Sequence, residues 1–413
     1  MPSAASDTSA SDTQTDTAPD LARAVFLLAC AAFASALSFR LCDPFLPALA
    51  LTFHVSIGEA ASVITAFLIV YGVMQLAFGP LGDRFDRYRL IAYATLACTL
   101  GSLAAALAPS LAWLLAARIL TAICSAGVIS VGLAWIADRV PLINRQKILA
   151  RFLSGQILGM VSGQVLGGVY VDHIGWRWAF ATLAVIYLLI GGMLLRETRR
   201  NPVMRKPPAA VDAPQRSVLQ DMRTVITSPR AWPVLAAVCC EGIAVFPVLA
   251  FLPLHLHRSF GVSLATASLV LIAYGAGGLL YSASAGRLVR AFSPVGLARI
   301  GGLSIASGFL LLYAIPNWYL APPAMACAGF GMYLLHSTLI TRATTISETA
   351  RGSAISITVS IFFLGQSIGV YSASQAVESV GTSAIILACS GLIAVTGLTF
   401  AYVLQRAART KLA

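Results

Sequence analysis

Residues 79–90 read GPLGDRFDRYRL. A long, nearly uncharged apolar run ends here, and Asp83, Arg84, Asp86, Arg87 and Arg89 arrive together. Charge this dense at the end of an oily run marks a point where a chain leaves hydrocarbon for water. The totals agree. Of 413 residues, 58% are hydrophobic and 11% charged, with a mean hydropathy of +0.83. A soluble domain carries about a quarter charged residues and under half apolar ones. This composition belongs to a chain dissolved in lipid.

A helix needs about 20 mainly apolar residues to cross a bilayer. Working outward from residues 79–90, twelve such stretches are found, at roughly 22–48, 59–81, 90–108, 111–137, 148–171, 175–195, 231–254, 262–288, 294–315, 317–340, 352–375 and 381–404. No stretch alternates with period two, which argues against a membrane β-barrel. The expected fold is therefore an all-α polytopic membrane protein with twelve transmembrane helices.

Lys and Arg set the orientation. With the N-terminus in the cytoplasm, 24 of the 28 fall in cytoplasmic segments. Arg177 and Arg258 lie on the other side, and Arg40 and Arg118 within spans. Both termini are thus expected in the cytoplasm, in a bacterial-type inner membrane. The +12 net charge is spread over short loops facing phospholipid, so no nucleic-acid partner is expected.

Residues 1–20 are polar, acidic and repetitive, and read as a disordered tail rather than a cleavable signal peptide. Residues 196–230 are rich in Pro and charge and read as a flexible cytoplasmic linker. They divide the chain into six-span bundles at 21–195 and 231–405, with a tail at 406–413. An internal repeat supports this division. Arg145/Arg351, Gly159/Gly365 and Gly163/Gly369 are each offset by 206 positions, half the chain length. Two matching halves point to a secondary transporter with its site between them near mid-membrane.

The eight cysteines sit singly in apolar runs except Cys239-Cys240, with no metal-ligand spacing and no disulfide framework. No phosphate-binding loop, HExxH or GxSxG occurs, so neither ATP-driven transport nor an enzyme is expected. No cofactor or metal is expected either.

Ionisable residues inside spans are costly and point to function. Arg40 and Asp43 lie on one face of span one, Arg118 on span four and Glu241 on span seven. At about 1.5 Å per residue, Arg118 sits roughly 10 Å below the outer surface, near the depth of Asp43, where the two can meet. Asp43 is the first candidate proton carrier and Glu241 the second. A structural ion pair with Arg40 and a helix–helix contact are their respective alternatives. Tyr71, Gln75, Trp135, Gln156, Gln164, Tyr274, His336 and Gln366 are candidate cavity residues, each equally readable as packing. His255 and His257, at the outer end of span seven, are expected to be solvated.

Gly79, Leu81, Asp83, Arg84 and Arg87 form G-x-L-x-D-R-x-x-R, which resembles the loop signature of the major facilitator superfamily. Asp86 stands where the family prefers Gly, and Tyr88 where it prefers a cation. The resemblance implies two pseudo-symmetric six-helix bundles and a conformational gate. Asp83 would cap the start of span eleven near Gly352-Ser353, and Arg87 would pair with Asp138. In span five, Gly155, Gly159, Gly163 and Gly167 recur every four residues, a spacing that lets helices touch backbone to backbone. With Gly168, this string resembles the antiporter motif of drug:proton exchangers, with Gln164 in place of its Pro. Asp43-x-x-Leu46-Pro47, the run Gln75 to Asp83, and Arg118 resemble the bicyclomycin-resistance type of exporter. The resemblance covers the N-terminal half to about Phe180.

What this implies is a monomeric exporter of small hydrophobic or cationic compounds, driven by the proton gradient. Two alternatives remain open: a proton-coupled importer of a sugar or organic acid, and a non-transporting sensor. The sensor would be expected to carry an added soluble domain.

Overall fold

A computed structural model describes the backbone of residues 9–140, 142–200, 218–347 and 351–410. Within these ranges, the side chains of residues 9–19, 79, 80, 83, 137, 142–147, 150, 218, 219, 351, 352, 409 and 410 lie outside the described residues. Among the described residues the chain is helical throughout its regular structure, with no strand.

The first half comprises α1 (Ser9–Arg40), α2 (Leu46–Phe53), α3 (Ile57–Ala60), α4 (Ser62–Arg84), α5 (Arg87–Ala106), α6 (Leu111–Arg139), α7 (Leu142–His173) and α8 (Trp176–Arg200). The second comprises α9 (Val218–Ile226), α10 (Ala231–Phe260), α11 (Leu264–Ala291), α12 (Pro294–Ala314), α13 (Ala321–Ala343) and α14 (Arg351–Thr410). Among the described residues, eleven helical stretches are long and apolar enough to cross a membrane. The last, α14, holds 60 residues, about 90 Å of helix at 1.5 Å per residue, three times a bilayer core. Gly381 breaks it, at φ 79° and ψ 167°, so α14 supplies two crossings and the total is twelve.

Helix starts follow local chemistry. Ser110, Ser263 and Ser293 cap α6, α11 and α12 through their hydroxyls. Asp86 caps α5, its Oδ1 accepting from the Arg89 N–H at 2.8 Å. This accounts for an acid where the resembled loop has Gly. Span one is not the continuous helix expected at 22–48. Pro44 and Pro47 have no N–H for the carbonyls of Arg40 and Asp43, so α1 ends at Arg40 and a single 3₁₀ turn, Asp43–Phe45, leads to α2.

Two boundaries differ from expectation. The backbone is already helical from Ser9, inside the stretch expected to be a disordered tail. Extending a nucleated helix costs far less than starting one. Residues 1–8 lie outside the described residues. Within the expected flexible linker, α8 runs to Arg200 and α9 packs on α10 and α14, with Val225 fully buried. Met222 and Val225, three residues apart, give α9 an oily face.

The duplication is visible in the packing. α7 lies along α1, with Gly155, Gly159, Gly163 and Gly167 against the carbonyls of Ala29, Phe33, Leu37 and Leu41. α14 lies along α10 in the same way, with Gly365 and Gly369 against Cys239 and Ile243. Both partners of each contact shift by 206 between halves. None of these positions leaves room for a Cβ atom. The left-handed turns at Gly175 (φ 105°) and Gly381 obey the same offset. The halves meet along α4 with α14 and along α7 with α11. The face carrying the α4–α5 turn is rich in Arg and is termed the basic face; the opposite one is the far face.

Candidate functional site

The break after α1 places Asp43 inside the protein, 2% exposed. Its Oδ2 accepts from Arg40 Nη1 at 3.1 Å and from Gln164 Nε2 of α7 at 2.9 Å. Its Oδ1 is buried and has no hydrogen-bond partner among the described residues. Gln164, which takes the place of proline in the resembled glycine string, thus has a specific partner. Arg40 also lies 4.3 Å from the centre of the Phe246 ring, on α10 of the other half.

Arg118 does not reach Asp43. Its Nη1 donates to the carbonyl and the hydroxyl of Ser38 at 3.0 and 3.1 Å, and its guanidinium lies 3.9 Å over Phe67. The short span-one turn lets Arg40 occupy the carboxylate instead. Arg118 Nε and Nη2 are buried without partners among the described residues.

The second half holds a separate buried acid. Glu241 on α10 is fully buried, and its Oε2 lies 2.7 Å from His336 Nδ1 on α13. Its Oε1 has no partner among the described residues. Glu241 is offset by 206 from Ser35, so this acid belongs to the second copy alone. The His336 ring packs 4.5 Å from Phe362, and Phe362 packs 5.3 Å from Phe246. An unbroken line of contacts therefore joins the two acids: Asp43, Arg40, Phe246, Phe362, His336, Glu241. Phe363 extends it to Phe39 and Tyr71 at 5.6 and 4.8 Å.

The other candidate residues divide. Tyr71 belongs to the aromatic cluster between the halves. Tyr274 lies on α11, its backbone against Gly329 of α13. Gln366, 1% exposed, has neither amide end partnered among the described residues and lies beside Gly242. Gln75 is buried and Gln156 half-buried, neither touching an acid of the site. Trp135 packs at a tilt against Tyr88, with ring centres 5.3 Å apart, within the first half. His255 is buried rather than solvated: Thr382 sits 2.8 Å from its Nδ1.

At the basic face, Arg87 forms an ion pair with Asp138 and also donates to the carbonyls of Gly82 and Ala134. Leu81 and Arg84 complete the end of α4. The expected cap of span eleven by Asp83 near Gly352 involves positions that, with Gly79, lie outside the described residues. Sequence reading missed a pair here, Arg23 with the buried Glu197 at 3.2 Å. In the sequence, Arg23 is only one of the 24 cations of the cytoplasmic segments.

Comparison with known proteins follows the same lines. A family model described as Major Facilitator Superfamily matches residues 28–370. The efflux pump apf11 of Gibberella fujikuroi is 27% identical over 80% of this chain and 58% of its own length. The riboflavin transporter RibZ of Clostridioides difficile is 25% identical over 44% of this chain and 39% of its own. The chain thus spans less than two thirds of the length of these curated relatives. In fold, it is similar to a crystal structure of a bacterial homolog of the human lysosomal transporter Spinster, inward-facing and unoccupied. The TM-score is 0.76 and the identity 17%, covering 94% of this chain and 98% of that one.

Proposed function

The chain belongs to the Major Facilitator Superfamily, and from that premise we propose that it exports small hydrophobic or cationic compounds by proton-coupled alternating access. In this reading it is a transporter rather than an enzyme. It sits as a monomer in a bacterial-type inner membrane with its basic face and both termini in the cytoplasm.

One observation carries the reading: a carboxylate buried at the joint between the halves, held by one oxygen and open at the other. Burial disfavours its charged form and the Arg40 guanidinium favours it. A proton on Asp43 removes the reason for Arg40 to stay. A cationic cargo group competes with Arg40 for the same oxygens. Proton and cargo therefore exclude one another, which is the condition for antiport. Glu241 with His336 is a second such site, on the other half. The rings between the two acids offer a hydrophobic cargo apolar surface that touches both halves. At the basic face, Arg87–Asp138 and Asp83 would hold that side closed when the far side opens.

The test uses purified protein in liposomes with an imposed pH gradient. Ethidium and tetraphenylphosphonium serve as probes and a trapped pH dye as the reporter. The wild type is expected to release protons when either probe is added. Asp43→Asn should abolish that release, and Glu241→Gln should lower it. Unchanged exchange in both variants would overturn the reading. The likeness to RibZ supports a second reading, uptake of a small metabolite. Riboflavin in the same liposomes, moving with the proton gradient rather than against it, would favour that one.

A further inference from the structure

The far-face ends of the two helices that line the joint each carry an acid. Asp172 lies one residue from the end of α7, and its Oδ2 accepts from the backbone N–H of Ala265 at 2.6 Å. Ala265 is the second residue of α11, in the other half, where Ser263 already satisfies Thr266. Glu378 lies near Gly381 on α14, and its Oε1 accepts from the N–H of Ile57 at 3.0 Å. Ile57 begins α3, which continues through Ala61 into α4 by unbroken helical hydrogen bonding, Ala61 to Ile57 and Thr65 to Ala61. Each acid thus satisfies a free N–H at the start of a helix of the opposite half, where the helix dipole favours negative charge.

The arrangement is paired. Asp172 and Glu378 are offset by 206, as are Gly168 and Ser374 beneath them. Gly168 sits against the backbone of Leu264 and Ala265, and Gly58 against the carbonyl of Ser374. The backbones of the halves therefore touch at the same two corners where the carboxylates cross. Ser56 with Glu59 makes a complete capping box on α3 without help from the other half. Glu378 is thus not needed to start that helix; its bond adds a tie between halves.

We propose that Asp172 and Glu378 are positioning residues of the transport cycle. They act as symmetry-related ties that hold the far-face ends of the halves together and set how readily that face opens. This rests on the transport reading only in calling the movement part of a cycle; the ties themselves are read without cargo.

The experiment is hydrogen–deuterium exchange on the full chain in lipid nanodiscs, comparing the wild type with Asp172→Asn, Glu378→Gln, both together, and Glu59→Gln. If the ties control opening, each single variant speeds exchange at both corners, residues 57–66 and 264–270. The change is about two- to fivefold, the worth of one exposed cap. The double variant gives about the product of the two, as expected for distant sites. Glu59→Gln, which breaks a cap within one half, speeds exchange at 57–66 alone. Exchange that rises only beside the altered acid, or at neither corner, overturns the proposal. Because no substrate enters this measurement, a failure of the antiport assay leaves it readable, and the reverse also holds.

Discussion

Arg40 and Asp43 show what a buried pair demands. Their side chains are 4% and 0% exposed. Removing one partner leaves a charge in low dielectric, at a cost of about 3–5 kcal/mol, while replacing both costs far less. Arg40→Met is therefore expected to lower the thermal midpoint in detergent sharply, and Arg40→Met with Asp43→Asn to recover most of it. A single variant as stable as the wild type would show that the pair is hydrated and loosely held. The sequence made these residues visible because charge is rare in the spans. It offered the Arg40 pairing only as the alternative to a meeting with Arg118. Depth along a helix places Asp43 near Arg118, but a break caused by two prolines turned the carboxylate toward Arg40 and Gln164. Those prolines were in plain view, in "CDPFLPALA" at residues 42–50. Their consequence for direction depends on the angle of the turn, which spacing does not encode.

At the scale of elements, the glycines of α7 and α14 decide how closely helices approach. A Cβ at Gly163 would strike the carbonyl of Leu37, and one at Gly369 that of Ile243. Backbone cannot yield as a side-chain tip does. Gly163→Val and Gly369→Val are each expected to cost about 1–3 kcal/mol or more by overpacking. Gly192→Ala, where an added Cβ meets no atom of another helix within 4 Å, is expected to be neutral or stabilising by about 0.5–1 kcal/mol. Thermal melting followed by size-exclusion chromatography distinguishes these outcomes. Equal tolerance at all three sites would remove the close-packing argument. This element was legible because a four-residue repeat maps onto one helix ridge whatever the partner. The partner was not legible, since no residue in α1 advertises the groove it offers. Asp172 and Glu378 went unread, and His255 was expected to be solvated, for a related reason. Each lies near a span end, where a polar residue reads as solvated until the neighbouring helix start is known.

For the whole molecule, hydropathy and the 206-residue offset were enough to give twelve crossings in two bundles, because both are properties of the chain rather than of contacts. The orientation proposed from the cations can be checked directly. A topology reporter placed between α8 and α10 is expected to read cytoplasmic, and one in the turn between α5 and α6 external. The opposite pattern would invert the proposed direction of transport while leaving the fold untouched. The connection between the halves was less legible. Proline and charge suggested slack throughout, yet its last turns fold onto the second bundle through an apolar spacing too short to stand out against longer spans.

The glycines at 175 and 381 turn the chain at matching places in the two copies, with almost no residues between the helices they join. A hairpin so short stores no spare length. When α7 or the first arm of α14 leans during a rocking motion, its successor must lean with it, as the two legs of a stiff compass share one pivot. The helices facing the joint thereby carry lipid-facing ones along. Under the proposed rocking cycle, pressure or thickness changes in the surrounding bilayer would have a mechanical route to the central acids.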